Sequence, residues 1–369
     1  RKSKKKILCR NPMPPVSALL PTLLLSLIGG ACMAFIHAPL PWTLGPIVFV
    51  AAGSYIRKKP LDWPLSLRNG ALILLGYGMG RAVTIGTVHA ILAQFPLMIA
   101  ATLITVGAGV LTAWLMFRHT TINFTSCLLG CVPGGLSQMV ILAAEMKDTD
   151  LTAVTIMQTL RMLSVVFVIP FLTINVISGG GSTAAAAAAA AQDVPLGMVL
   201  KFAAIAIASA FIGKKLHLPT PTLLGPVIGT GAYLVWSGGT APVVSPFWLD
   251  TAQLFVGAYI GSCIDLQKIK SYHGMGPILL FGVLLVLAVS MALGFFISRF
   301  TGIDLATAFL STAPGGLSEM GIAALVVGAD AGTMTAYQLT RVLFIMGVFP
   351  YLARLIVAFY NRRTGAHGR

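Results

Sequence analysis

The sequence is short of charge. Asp, Glu, Lys and Arg make up 9% of its 369 residues, where a soluble domain carries about 25%. So few charges could not cover the surface of a soluble protein of this length, which excludes a soluble enzyme. A disordered chain depends on polarity and charge for its solvation, and is excluded with it. Negative charge is scarcest: 10 acids stand against 25 basic residues, a formal charge of +15. Cysteine is sparse as well. Cys9, Cys32, Cys127, Cys131 and Cys263 show no C-x-x-C spacing, so neither a disulfide scaffold nor a zinc site is expected. The six histidines (His37, His89, His119, His217, His273, His367) never pair at i, i+3 or i, i+4, and a metal centre needs clustered ligands. Cys127 and Cys131 share a helix face but have no local base. The expectation is a chain with no catalytic set, no metal and no cofactor, and hence not an enzyme.

What the chain has is apolar sequence, 57% of the total, in a regular series of stretches. In the first half they run roughly 16–38, 42–56, 69–90, 92–117, 121–146 and 151–177. In the second they run roughly 197–213, 219–236, 250–264, 275–298, 303–328 and 332–360. A span needs about 20 apolar residues, so this reads as an all-α polytopic membrane protein. Arg1 to Lys6 followed by an apolar run has the outline of a signal peptide. Segment 197–213 is an internal counterpart of 16–38, however, and an internal counterpart cannot be a signal.

The halves repeat. Pro133-Gly134-Gly135-Leu136-Ser137-Gln138-Met139 recurs as Pro314-Gly315-Gly316-Leu317-Ser318-Glu319-Met320, at an offset of 181. Gln158 and Arg161 recur as Gln338 and Arg341, Asp150 as Asp330, and Leu44-Gly45-Pro46 as Leu224-Gly225-Pro226, all at 180. The organisation predicted is a basic cytoplasmic segment at 1–15, membrane repeats at 16–178 and 196–360, a Gly/Ala-rich linker at 179–195 and a basic tail at 361–369. Repeats with an odd number of spans sit inverted and those with an even number sit parallel. If the two Pro-Gly-Gly segments dip in and return, each repeat has five true spans. The inside stretches then hold 19 of the 25 basic residues, while 37–41, 178–195 and 237–249 fall outside with no Lys or Arg. The positive-inside rule therefore favours an inverted five-plus-five arrangement with a broken or re-entrant segment in each repeat. This places the basic residues against anionic lipid at the cytoplasmic face, and no nucleic acid is needed to explain the net charge.

Within this frame few residues can carry chemistry. Proline removes a backbone donor and glycine tolerates unwinding, so Pro133-Gly134-Gly135 and Pro314-Gly315-Gly316 predict broken helices. Such breaks survive at membrane depth only when shielded by protein or lining a cavity, and paired breaks point to a midplane site at the repeat interface. The bland alternative is a pair of packing kinks. Ser137, Gln138, Ser318 and Glu319 follow the breaks directly. Arg161 and Arg341 lie deep in the next segments, where an arginine costs about 2.5–3.5 kcal/mol, so each needs a partner. Gln158 and Arg161 share a helix face, as do Gln338 and Arg341. Each arginine either clamps an anion such as a carboxylate or caps the carbonyls of the neighbouring broken helix. Glu319 stands where the first repeat has Gln138. It either carries a coupling proton or sodium ion or pairs with Arg341. The strings Gly76-Tyr77-Gly78-Met79-Gly80 and Gly257-Ala258-Tyr259-Ile260-Gly261 read as helix-packing surfaces rather than nucleotide loops.

The doubled Pro-Gly-Gly-Leu-Ser-(Gln/Glu)-Met, each followed by Gln-x-x-Arg, resembles the AbrB-type duplicated membrane protein family of Gram-negative bacteria. The resemblance covers about residues 16–360 and makes the two motifs the signature positions. It implies a multi-pass protein of the bacterial inner membrane. Members are labelled ammonia monooxygenases or regulators of aidB expression. The first label conflicts with the missing metal-ligand cluster. The family name is shared with a small soluble DNA-binding regulator, which a chain this apolar is not. The sequence thus leads to a secondary transporter of a small, anionic solute, with substrate held by the fourteen motif residues named above. The alternative is a membrane sensor that alters gene expression through a partner protein. A homo-oligomer is compatible with either.

Overall fold

The computed structural model describes residues 16–146, 149–177, 195–266 and 276–364. The expected basic segment at 1–15, the linker at 179–194 and the last five residues of the tail lie outside the described residues. Every regular element among the described residues is helical. They are α1 (Val16–Phe35), α2 (Pro41–Arg57), α3 (Leu65–Gly80), α4 (Ile85–His119), α5 (Phe124–Cys131), α6 (Leu136–Glu145) and α7 (Leu151–Phe171). There follow α8 (Leu196–Lys215), α9 (Pro221–Ser237), α10 (Pro246–Cys263), α11 (Gly276–Thr301), α12 (Leu305–Thr312), α13 (Leu317–Val327), α14 (Ala331–Gly347) and α15 (Phe349–Thr364). Pro170 lacks a donor near the end of α7, and the helix widens into a π-helical turn over Leu172–Ile177.

Among the described residues, α4, α7 with its extension, α8 and α11 are long and apolar enough to cross a membrane. The pair α14 and α15, bent by 52°, makes a fifth if it forms one span. Helices α2, α3, α9 and α10 are only 16 to 18 residues long, and the apolar part of α1 is the shorter stretch Leu19–Phe35. The segment expected at 69–90 is divided. Helix α3 stops at Gly80, where the Arg81 amide closes onto Tyr77 O. Thr84 Oγ1 then accepts from the Thr87 amide at 3.2 Å and starts the long α4.

The chain forms two compact units, and each takes residues from both sequence repeats. One holds α1–α3, α8–α10 and most of α13. The other holds α4 from His89 onward, α5 to α7 up to Ile169, α11, α12, the first turn of α13, and α14 with α15.

In the first unit α2 packs against α1 and α10, while α9 packs against α8 and α3. Glycine permits the closest approaches. A Cβ on Gly76 would lie 2.4 Å from Leu223 O, and one on Gly257 would lie 2.5 Å from Thr43 O. The two contacts match residue for residue at an offset of 180 or 181. The turns into α2 and α9 match as well. His37 and His217 have φ of 52° and 55°, Leu40 and Thr220 have φ of 48° and 46°, and a proline opens each helix. Left-handed backbone is rare for leucine and rarer for a β-branched threonine, yet it recurs at the same place in both repeats.

The second unit is organised around one core. Phe124, Leu128, Met139 and Met157 from the first repeat bury together with Leu279, Ile345, Phe349 and Ala353 from the second. A smaller cluster joins Met98 and Ala101 to Ile297, Ala308 and Tyr337. Thr112 of α4 lies so close to α11 that a Cβ on Gly282 would sit 2.1 Å from its methyl group.

Candidate functional site

The site lies in the second unit. Helix α5 starts where Asn123 Oδ1 accepts from the Ser126 amide at 2.9 Å. Helix α12 starts where Asp304 Oδ2 accepts from the amides of Ala306 and Thr307, at 3.0 and 3.3 Å. Both are N-caps at matching positions. Each helix runs for eight residues and ends when Val132 or Ala313 turns to an extended backbone, with ψ of 133° and 136°. Helices α6 and α13 begin at Leu136 and Leu317, after Pro133-Gly134-Gly135 and Pro314-Gly315-Gly316. Met139 and Met320 are buried and fold onto the middle glycines. A Cβ on Gly134 would lie 2.1 Å from the Met139 methyl, and one on Gly315 would lie 2.4 Å from that of Met320.

After α6 the chain doubles back. The Asp150 amide donates to Ser126 Oγ at 2.8 Å, so residue 150 stands beside the start of α5. Laid end to end, α5, the gap and α6 would instead carry the chain about 30 Å away. Asp150 also starts α7, its Oδ1 accepting from the amides of Thr152 and Ala153. Asp330 does the same for α14 through the Gly332 amide at 2.9 Å. Arg161 and Arg341 each lie ten residues beyond their helix starts, about 15 Å along the axis.

At that depth each arginine takes hold of the gap. Arg161 Nη1 donates to Val132 O at 2.8 Å, and Nη2 donates to Gly134 O at 3.0 Å and to Gln158 Oε1 at 2.8 Å. Gln158 Nε2 donates to Leu129 O at 2.7 Å and to Val132 O at 3.1 Å. The second copy repeats this bond for bond. Arg341 Nη1 donates to Ala313 O and Nη2 to Gly315 O, the latter at 2.7 Å, and Nη2 also donates to Gln338 Oε1. Gln338 Nε2 donates to Leu310 O at 2.7 Å and to Ala313 O at 3.1 Å. All four side chains are buried, and both Nε groups are buried without a hydrogen-bond partner.

The Nη groups thus cap the carbonyls of the broken helices. These carbonyls have no helical partner of their own, and a desolvated guanidinium fork fits two of them at once. Arg341 is not paired with Glu319. The Glu319 carboxylate accepts from Ser318 Oγ at 3.1 Å and folds over Gly316, where a Cβ would lie 1.9 Å from its Oε2. It therefore sits at the first turn of α13, the positive end of that helix. Glu319 and Ser318 are half-buried, and Gly316 and Gly135 are exposed. The side chains of Ser137 and Gln138 lie outside the described residues. Among the described residues no three His, Cys, Asp or Glu side chains converge on one point.

Several members of this arrangement carry no motif. Asn123, Ser126 and Asp304 help fix where the gaps fall. The general preference of Asn and Asp for helix starts points to Asn123 and Asp304, nothing marks Ser126, and Asp150 stands out only as the repeat partner of Asp330. The carbonyls of Leu129, Val132, Leu310 and Ala313 are backbone atoms and leave no trace in residue type.

An all-helical chain with several long apolar helices, and with buried arginines satisfied by helix-end carbonyls, has the build of a membrane protein. It belongs to the AbrB family, whose profile, described as "Transition state regulatory protein AbrB", matches residues 42–357. A protein of Escherichia coli (strain K12) named "Putative regulator AbrB" is 27% identical over 341 residues, covering 92% of this chain and 97% of its own length. A Bacillus subtilis (strain 168) protein, YhjN, is 28% identical over 358 residues, covering 90% of this chain and 91% of its own.

Proposed function

We propose that this chain is a secondary transporter of a small anionic solute in the bacterial plasma membrane, with the solute held between the Pro-Gly-Gly gaps of its two repeats. One observation carries the anion preference: Arg161 and Arg341 spend their Nη groups on the carbonyl ends of α5 and α12. A broken helix offers carbonyls to cations and amides to anions. Here the carbonyls are taken. What remains is the amide end of α6 at one gap and, at the other, that of α13 with the Glu319 carboxylate beside it, each next to a buried arginine whose hydrogen-bond partners are neutral. A bound anion would offset charge that is otherwise costly to bury.

The inverted five-plus-five reading draws support from the paired contacts of Gly76 and Gly257 and from the return of Asp150 to Ser126. A segment whose end comes back beside its start enters and leaves on one side. With the arginines about 15 Å along their helices, each gap lies near the middle of a hydrocarbon layer about 30 Å thick. A second reading follows from the name of the Escherichia coli relative, that of a regulator. On that reading the chain senses its ligand and passes a signal to a partner protein.

Purified protein is screened by thermal shift against chloride, phosphate, sulfate, acetate, succinate, citrate and glutamate, with ammonium as the cationic control. The transporter reading expects one class of anion to raise the midpoint and the effect to vanish in Arg161→Gln and Arg341→Gln. A response to ammonium alone would reject the anion assignment. To separate transport from sensing, a lone cysteine at Ser318, in a chain with its five native cysteines replaced, is probed with an impermeant maleimide. Right-side-out and inside-out vesicles are both used. A carrier is labelled from both faces, a sensor from one.

A further inference from the structure

An inverted-repeat carrier can open in two ways. The repeats can rock against each other with the site at their parting line, or the site can travel with both repeats' contributions held together. The contacts in the second unit bear directly on this choice.

Every part of the site with a described side chain lies in that unit, and α4 to α7 of the first repeat are tied there to α11, α12, α14 and α15 of the second. The Tyr337 hydroxyl donates to Gln94 Oε1 at 3.0 Å, and Thr340 lies against the Met98 sulfur at 3.7 Å. Thus α14, which carries Arg341, is bonded to α4. The ring of Phe124, at the start of α5, stacks on Tyr360 of α15 with centroids 4.5 Å apart. Phe117 meets the same tyrosine edge-on at 5.5 Å. Arg354 of α15 reaches Glu145 at the end of α6 at 3.2 Å. Between these ties the main core is shared by both repeats.

Rocking would have to break these contacts. Within a membrane the hydrophobic effect does not reassemble helices, so close packing and interhelical hydrogen bonds do the holding. Parting Tyr337 from Gln94 would leave two polar groups without a partner where water is scarce. Opening the shared core would separate side chains, among them Leu128, Met157 and Phe349, that are sealed by contact across the repeats.

We propose that the two Pro-Gly-Gly gaps and their arginine clamps move as one piece, with the repeats locked together across the site, so that the solute is carried by the whole second unit. This rests on the transporter reading above. It assigns a new role to Tyr337 and Gln94, that of a permanent latch between repeats rather than a contact made and broken in each cycle.

The test uses the full chain with the Ser318→Cys reporter and the native cysteines replaced. Tyr337 is exchanged for p-azidophenylalanine, which keeps the ring, and light then joins it to α4. Mass spectrometry identifies the linked peptide, and size exclusion with a thermal midpoint verifies folding. The expected result is maleimide labelling of the linked protein from both faces, at rates within about twofold of the unlinked protein. Labelling of linked protein from one face only would overturn the proposal, since the staple would then have frozen a rocking motion. If the unlinked protein is already labelled from one face only, alternating access itself fails, and this proposal falls with it. Gln94→Leu supplies a second reading that needs no crosslink. A latch predicts a lower thermal midpoint with the two-faced labelling pattern preserved. A contact cycled in transport predicts a shift in the ratio of labelling between the faces.

Discussion

Two arginines at the centre of an apolar chain need explanation at the scale of atoms. Each guanidinium finds two backbone carbonyls and a glutamine oxygen, and the geometry needs a planar fork. Lysine has the charge but not the fork, so Arg341→Lys should retain little of the clamp. Removing the fork leaves Gly315 O and the Gln338 oxygen without that donor, while Ala313 O keeps Gln338 Nε2, at about 1–3 kcal/mol for each buried group left unpaired. Arg341→Gln and Arg161→Gln should each destabilise the protein by about 2–4 kcal/mol, read as a lower thermal midpoint in detergent. A drop below about 0.5 kcal/mol would show that the clamp is dispensable. At this scale the sequence is half legible. The i, i+3 spacing puts Gln158 and Arg161 on one face, and a desolvated charge must have a partner. It offers the carbonyls of the neighbouring broken helix as one of two kinds of partner, but it cannot say which carbonyls, because every residue has one.

The caps decide where each helix starts, and so where the gaps fall. Asp304 serves two amides, so Asp304→Ala should cost about 1 kcal/mol. Its effect should concentrate in α12, seen as faster hydrogen exchange there than in α11. Ser126→Ala removes the bond that holds residue 150 beside α5 and should loosen that return by about 1 kcal/mol. Equal exchange in both hairpins of the Ser126→Ala protein would count against that bond as the fastener. Asn123 and Asp304 carry the ordinary signal of a helix start, but they stand at the edges of apolar stretches, where a reading of spans absorbs them. Pro170 is legible as a break in helical bonding. That the helix answers with a π-helical turn depends on what packs around it.

Composition announces an apolar membrane-type chain, because 9% charge could not cover a soluble surface, and the series of long apolar stretches announces helices. The doubled motif announces the family. Neither tells that compact units cut across the repeats, since that depends on contacts between residues some 180 positions apart. Those contacts make a prediction of their own. A Cβ at Gly76 or at Gly257 meets a backbone carbonyl that has nowhere to move, so Gly76→Val and Gly257→Val should each fail to accumulate in the membrane. Gly107, with no atom within 4 Å of an added Cβ, should tolerate Gly107→Ala. Orientation is tested separately. A reporter fused in the 178–195 stretch should signal from outside the cytoplasm, and a cytoplasmic signal there would defeat the inverted arrangement.

The carboxylate folded over Gly316 has a consequence for direction. Two identical hairpins pointing at one another would make the faces of the membrane equivalent, and a carrier built that way would half-saturate at the same concentration from either side. Here one tip carries Glu319 and the other Gln138. A negative group already seated at the start of α13 competes with an incoming anion at that hairpin and has no charged counterpart at the other. On the proposed transporter reading, such a protein would run as a rectifier, taking up its load more readily from one face than from the other at equal gradients.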